Sequence, residues 1–319
     1  MQKSAWYTLI FLMLLAVVGC GGTPGTGGGG SGGNGGGNAP PNPDLSWGTA
    51  NAGTTADLEG VAYGNGRFVT VAANGTILYS TDGGSSWQPA SAPTSAYLRS
   101  VAFVNGSFLA VGDQGTLLFS SDGATWVTRN PGATEDLTAA AYGNGRYVVL
   151  GLNNTLLYSS NGHDWHPVQV PAGVDTDFRG IAYGQGRFVA VGWGGTALTS
   201  PDGVTWQNQG TGTASYLRGV AAGQGFVAVG WGGAVLTSAD GKSWTVQANP
   251  TASDLEGVAY GAGLYLTVGG NGVALASADG VRWTAQTTGS VGTLWEVAFG
   301  NGRFVAVGSG GEVLIGTPR

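Results

Sequence analysis

From residue 44 onward, hydrophobic and polar positions alternate in short bursts rather than long runs. One burst runs from Leu58 to Tyr63, the next from Arg67 to Val71, the next from Thr76 to Ser80, and a fourth surrounds Trp87. These bursts are rich in β-branched and aromatic residues, which suit a pleated, half-buried surface. Between them stand Gly64-Asn65-Gly66 and Asp82-Gly83-Gly84, where Gly and Asn tolerate the positive φ of tight hairpins. Helical periodicity is absent throughout this region, so the pattern predicts four short antiparallel strands.

The same unit restarts at Leu58, Leu98, Leu137, Phe178, Leu217, Leu255 and Leu294, a period of about forty residues that points to propeller or solenoid repeats. Trp87, Trp126, Trp206, Trp244 and Trp283 each precede the next restart by eleven residues, Trp165 by thirteen, and Trp47 precedes Leu58 by eleven. The final unit stops at Arg319, before a fourth strand of its own. One strand is therefore missing at one end of the repeat and one is spare at the other. The expected fold is all-β: a seven-bladed β-propeller of four-stranded blades over residues 44–319, with residues 45–53 as the outer strand of blade seven. Such closure leaves no exposed sheet edges in the ring, so a monomer is expected.

Composition agrees with a body made of strands and turns. Only 9% of residues are charged and 62 of 319 are Gly, against about 25% charged and about 7% Gly in ordinary domains. With 12 basic and 18 acidic residues, the net charge of −6 argues against nucleic acid as a partner, since phosphate backbones call for a basic patch. The one cysteine, Cys20, cannot form an intramolecular disulfide, so stability must come from packing and closure.

The first residues read as an address. Lys3 supplies a positive start, and Ala5 to Val18 form an apolar run of signal-peptide length, short for a spanning helix. Val17-Val18-Gly19-Cys20 resembles a bacterial lipobox. The resemblance implies removal of residues 1–19, acylation of Cys20 and anchoring to a membrane, because several acyl chains bind stably where one does not. Gly21 follows the cysteine, where an Asp would suggest inner-membrane retention, so an outer-membrane or cell-surface location is expected. Residues 20–43 are dominated by Gly, Asn, Pro and Thr without an apolar period, and read as a flexible linker.

Ser80-x-Asp82-x-Gly84-x-x-Trp87 resembles the Asp-box, or BNR repeat, of sialidase-like propellers. Shorter versions centre on Asp122, Asp202, Asp240 and Asp279, while blade three carries Asn161 and blade seven loses the motif. The Asp is expected to accept backbone N–H groups of its hairpin while the Trp covers the sheet edge, a structural role. The resemblance places these turns on the face away from the ligand site. The pattern is also similar to that of propellers assisting photosystem II assembly, which implies a protein partner.

Function is then expected on the opposite face. The second residues of the repeats are Glu59, Arg99, Thr138, Arg179, Arg218, Glu256 and Trp295, which concentrates charge at the channel mouth. Trp193 and Trp231 occupy matching loops of adjacent blades, and Tyr97 and Tyr216 lie in front of two of the arginines. One reading is a pocket whose arginines grip a carboxylate while aromatics stack on an apolar or sugar face. The other is pairing of Glu59 with Arg99 and of Arg218 with Glu256, which would serve the ring alone. His163 and His166 flank Asp164 without an identifiable third ligand, so no metal and no cofactor is expected. Arg67, Arg146, Arg187 and Arg303 recur after a turn and are expected to pair with nearby turn carboxylates. No catalytic set is assignable. The expected function is a non-catalytic binding or assembly scaffold for a protein or glycan, with a surface glycan-binding or sialidase-like hydrolase as the alternative.

Overall fold

The computed structural model describes residues 44–174, 177–248 and 251–319. The signal segment, Cys20 and the Gly-rich linker lie outside the described residues. The rest forms seven four-stranded antiparallel sheets, the blades of a β-propeller. In blade one the strands are Leu58–Gly64, Arg67–Ala72, Ile77–Ser80 and Gln88–Pro89. Each blade's first strand also touches the first strands of its neighbours, so these seven strands surround the central channel. Outer strands are shorter than the sequence suggests, two or three residues in blades one to six, because the Trp before each belongs to the turn and caps it.

Blade seven closes the ring as expected. Leu45–Asn51 pairs in full antiparallel register with Glu312–Pro318, which pairs in turn with Arg303–Gly308. Trp47 sits opposite Gly316, with its ring across the glycine, and Leu45 is buried among residues of blades six and seven. At the seam between blades seven and one the Tyr63 ring lies so close over Gly300 that a Cβ there would come within 2.0 Å of it.

The hydrophobic core consists of seven clusters, and each is shared by two adjacent blades. Between blades seven and one, for example, Val305, Val307 and Val313 pack on Leu58, Phe68 and Leu78. A blade therefore buries both faces, which explains why its two middle strands read as nearly continuous apolar runs.

The Asp turns fasten the outer face. Asp82 Oδ1 accepts the Ser85 and Ser86 amides at 3.0 and 2.9 Å, and Ser80 Oγ accepts the Gly84 amide at 2.8 Å. Trp87 Nε1 closes the turn on Gly84 O at 2.9 Å. The Ser86 hydroxyl and amide pull the Asp82 carboxyl down to about 2. Asp122, Asp202, Asp240 and Asp279 each accept two amides in the same way, and Asn161 does so in blade three. The recurrent arginines differ from expectation. Arg67 and Arg146 donate to the backbone carbonyls of Asp122 and Asp202 in the next blade rather than to the carboxylates.

Deleting residues 44–51 should expose the Glu312–Pro318 edge and open the cluster that Leu45 completes. Light scattering should find oligomers formed through that edge, with a lowered unfolding midpoint. A monomer with an unchanged midpoint would contradict the role assigned to this strand.

Candidate functional site

Every first strand carries the same irregularity. The register shifts between the first and third residues of the repeat in all seven blades, as between Leu58 and Gly60 or Leu294 and Glu296. The second residue is thus the extra residue of a β-bulge, a device that re-aims a side chain out of the pleat. Those residues are Glu59, Arg99, Thr138, Arg179, Arg218, Glu256 and Trp295, and all seven line one cavity of about 530 Å³ at the channel mouth. A cavity of this size falls within the range of small-molecule sites, roughly 300–1,000 Å³.

The charges in the cavity are only partly matched. Arg218 Nε lies 2.6 Å from Glu256 Oε2, the interblade pair expected from the sequence. Glu59 and Arg99 do not pair with each other. The Tyr97 hydroxyl donates to Glu59, while Arg99 reaches Asp113 and, at 3.0 Å, Asp136. Tyr97 stands between the two blades and reaches the carboxylate first, leaving Arg99 to the acids beside it. Thr138 Oγ donates to Phe178 O at 2.8 Å and so ties blade three to blade four. Arg179 has no ion pair among the described residues; its Nε donates to the Tyr216 hydroxyl and its guanidinium lies over the Tyr216 ring.

Trp193 and Trp231 stand beside the cavity rather than in its wall. With Tyr216 they form an aromatic trio with ring centroids 4.8–6.1 Å apart, and Trp193 is 54% exposed. Both tryptophans occupy short 3-10 turns between second and third strands. On the opposite face His163 lies in a turn and His166 in an outer strand against Tyr158. No group of three metal-ligating side chains occurs among the described residues.

Sequence reasoning missed two sets of residues. Asp57, Asp136, Asp177 and Asp254 each precede a repeat start, and each accepts a backbone amide from a loop of the preceding blade, as Asp254 does from Gly232 at 2.7 Å. Their recurrence one position before the apolar start was the available signal. The second miss is Glu296, the third residue of blade seven, where other blades carry Gly, Ser or Ala. Its carboxyl fits because the neighbour is Gly257, at which a Cβ would come 2.5 Å from Glu296 Oε1.

Burial raises the carboxyls of Glu59 and Glu256 above their ordinary range, opposed by the Tyr97 hydroxyl and by Arg218 respectively. Glu296 is enclosed by protein while part of its surface faces the channel, and burial pushes it up to about 7. The Val297 amide at 2.9 Å and Arg218 oppose that rise, and Glu256 adds to it. Because the folded value lies above the ordinary 4.5, the folded chain binds more protons than the unfolded chain between about pH 4.5 and 7. Stability should therefore fall as pH rises through that window. Glu296→Gln removes this dependence, so in urea unfolding its stability relative to the native chain should improve by about 2–3 kcal/mol from pH 5 to pH 8. A difference independent of pH would contradict the assignment.

Comparison with known proteins supports the fold. A family model described as the DUF6242 beta propeller domain matches residues 43–172. No curated protein sequence matches the chain. Among solved structures it is similar to YCF48 from Cyanidioschyzon merolae, with 16% identity and a TM-score of 0.68 over 85% of this chain and 98% of that one. It is also similar to YCF48 bound to D1 peptide, with 20% identity and a TM-score of 0.70 over 87% of this chain and all of that one. The WD40 beta propeller domain of Doa1 matches at 14% identity and a TM-score of 0.69, over 87% of this chain and 98% of that one. Likeness at these identities is one of fold, so the chain is a β-propeller similar to these proteins.

Proposed function

We propose that the chain is a lipid-anchored, extracytoplasmic binding propeller that holds a protein partner on its channel-mouth face without catalysing a reaction. The observation that carries this reading is the sevenfold bulge, which brings Glu59, Arg99, Thr138, Arg179, Arg218, Glu256 and Trp295 around one cavity. Beside it lie Tyr216, Trp193 and Trp231, and aromatic and Arg side chains dominate the energetics of protein interfaces. The propeller of YCF48, solved with a D1 peptide, makes a protein segment a reasonable occupant for a ring of the same shape. The lipobox-like Val17-Val18-Gly19-Cys20 supports anchoring through an acylated Cys20 at the outer membrane or cell surface.

A glycan is the second reading. It is favoured by the resemblance of the Asp82, Asp122, Asp202, Asp240 and Asp279 turns to Asp-boxes of sialidase-like propellers, and by the exposed Trp193 face. Binding on sialoside or glycan arrays without protein capture would favour it.

One fractionation and pull-down tests the proposal. The native chain should sediment with membranes, and Cys20→Ser should leave them. After detergent solubilisation the native chain should retain a protein partner, and the double variant Trp193→Ala/Trp231→Ala should weaken that capture at least tenfold while remaining folded. Recovery of no partner by the native chain, or equal recovery by the double variant, would count against the proposed surface.

A further inference from the structure

Three charged side chains of the channel wall, Glu59, Arg179 and Glu296, have no ion pair among the described residues. Of the three arginines in the cavity wall, Arg99 is held by Asp113 and Asp136, and Arg218 by Glu256. Arg179 contacts the Tyr216 hydroxyl and ring and acts on Glu256 only from beyond ion-pair distance. Of the three glutamates, Glu59 accepts from Tyr97 and Glu256 faces Arg218. Glu296 accepts the Val297 amide and meets Arg218 only from beyond ion-pair distance. Arg179 belongs to blade four and Glu296 to blade seven, as far apart as two blades in a seven-membered ring can stand. The acidic arc of Glu256, Glu296 and Glu59 covers blades six, seven and one, and the basic arc lies on blades two, four and five.

Gly257 adds room, since any side chain there would displace the Glu296 carboxyl.

We propose that the channel mouth binds a short linear zwitterion, a small peptide with both termini free, its carboxylate on the Arg179 guanidinium and its ammonium on Glu296. An α-amino acid places its charges on adjacent carbons and cannot reach two opposed walls, whereas three extended residues span about 10 Å. The guanidinium fork suits a carboxylate. The ammonium supplies the contact countercharge that Glu296 lacks, Arg218 acting on it only from beyond ion-pair distance. This inference deepens the reading of the channel-mouth face, since Arg179 also contacts Tyr216 of the aromatic rim.

The test is calorimetric titration of the detergent-solubilised full chain with triglycine, N-acetyl-triglycine and triglycine amide. Triglycine should bind at least tenfold more tightly than either blocked form, since each block removes one charge-assisted contact. Glu296→Gln should abolish the preference over the acetylated form and keep the preference over the amide. Arg179→Gln should do the reverse. The ligand series on the native chain decides the matter even if a variant misfolds: equal binding of all three compounds, or no binding of triglycine at about 10 mM, overturns the proposal. Capture of a protein partner is read separately, by the pull-down with Trp193→Ala/Trp231→Ala.

Discussion

The structure depends on burial between neighbouring blades. No blade has a hydrophobic core of its own; each of the seven clusters is built from the facing sheets of two blades. A blade with one neighbour would leave an apolar face in water, at about 25 cal/mol for each Å² exposed. The ring must therefore close, and it closes only if blade seven is complete. That requirement explains the Leu45–Asn51 strand, the Trp47 ring across Gly316, and the Tyr63 ring against Gly300. The interblade contacts of Arg67, Arg146 and Thr138 act along the same seams.

Closure also creates the site. With both faces of every sheet occupied, side chains that meet solvent in the middle of the molecule come from the first strands around the channel. The bulge turns one residue per blade toward that space. Since the body is poor in charge, the six charged or aromatic residues at these seven positions dominate the electrostatics of the mouth. Ion pairs offset Arg99 and Arg218, while Glu59, Arg179 and Glu296 have none among the described residues.

The fold was legible in the sequence because its determinants are local and repeated: the turn residues, the apolar restarts, and a Trp eleven residues before six of the seven restarts. Even the closing strand could be inferred, since Trp47 keeps that same spacing. The channel-mouth residues were legible as a column, but their partners were not. Pairing of Glu59 with Arg99 looked natural from charge alone, yet Tyr97, outside the column, takes the carboxylate. Glu296 escaped notice because its significance lies in one departure from a small residue and in Gly257 of the preceding blade, a relation between two repeats that periodicity conceals. The aspartates before the repeat starts were overlooked for the opposite reason: they recur, but they serve loops of the preceding blade.

The central functional claim is that the face bearing the bulge residues, and not the face bearing the Asp turns, meets the partner. Photo-crosslinking in intact cells tests it directly, with benzoylphenylalanine placed at exposed Trp193 on the first face or at exposed His163 on the second. A discrete crosslinked species from position 193 and none from position 163 is the predicted result. Crosslinking from position 163 alone would place the partner on the opposite face and contradict the account.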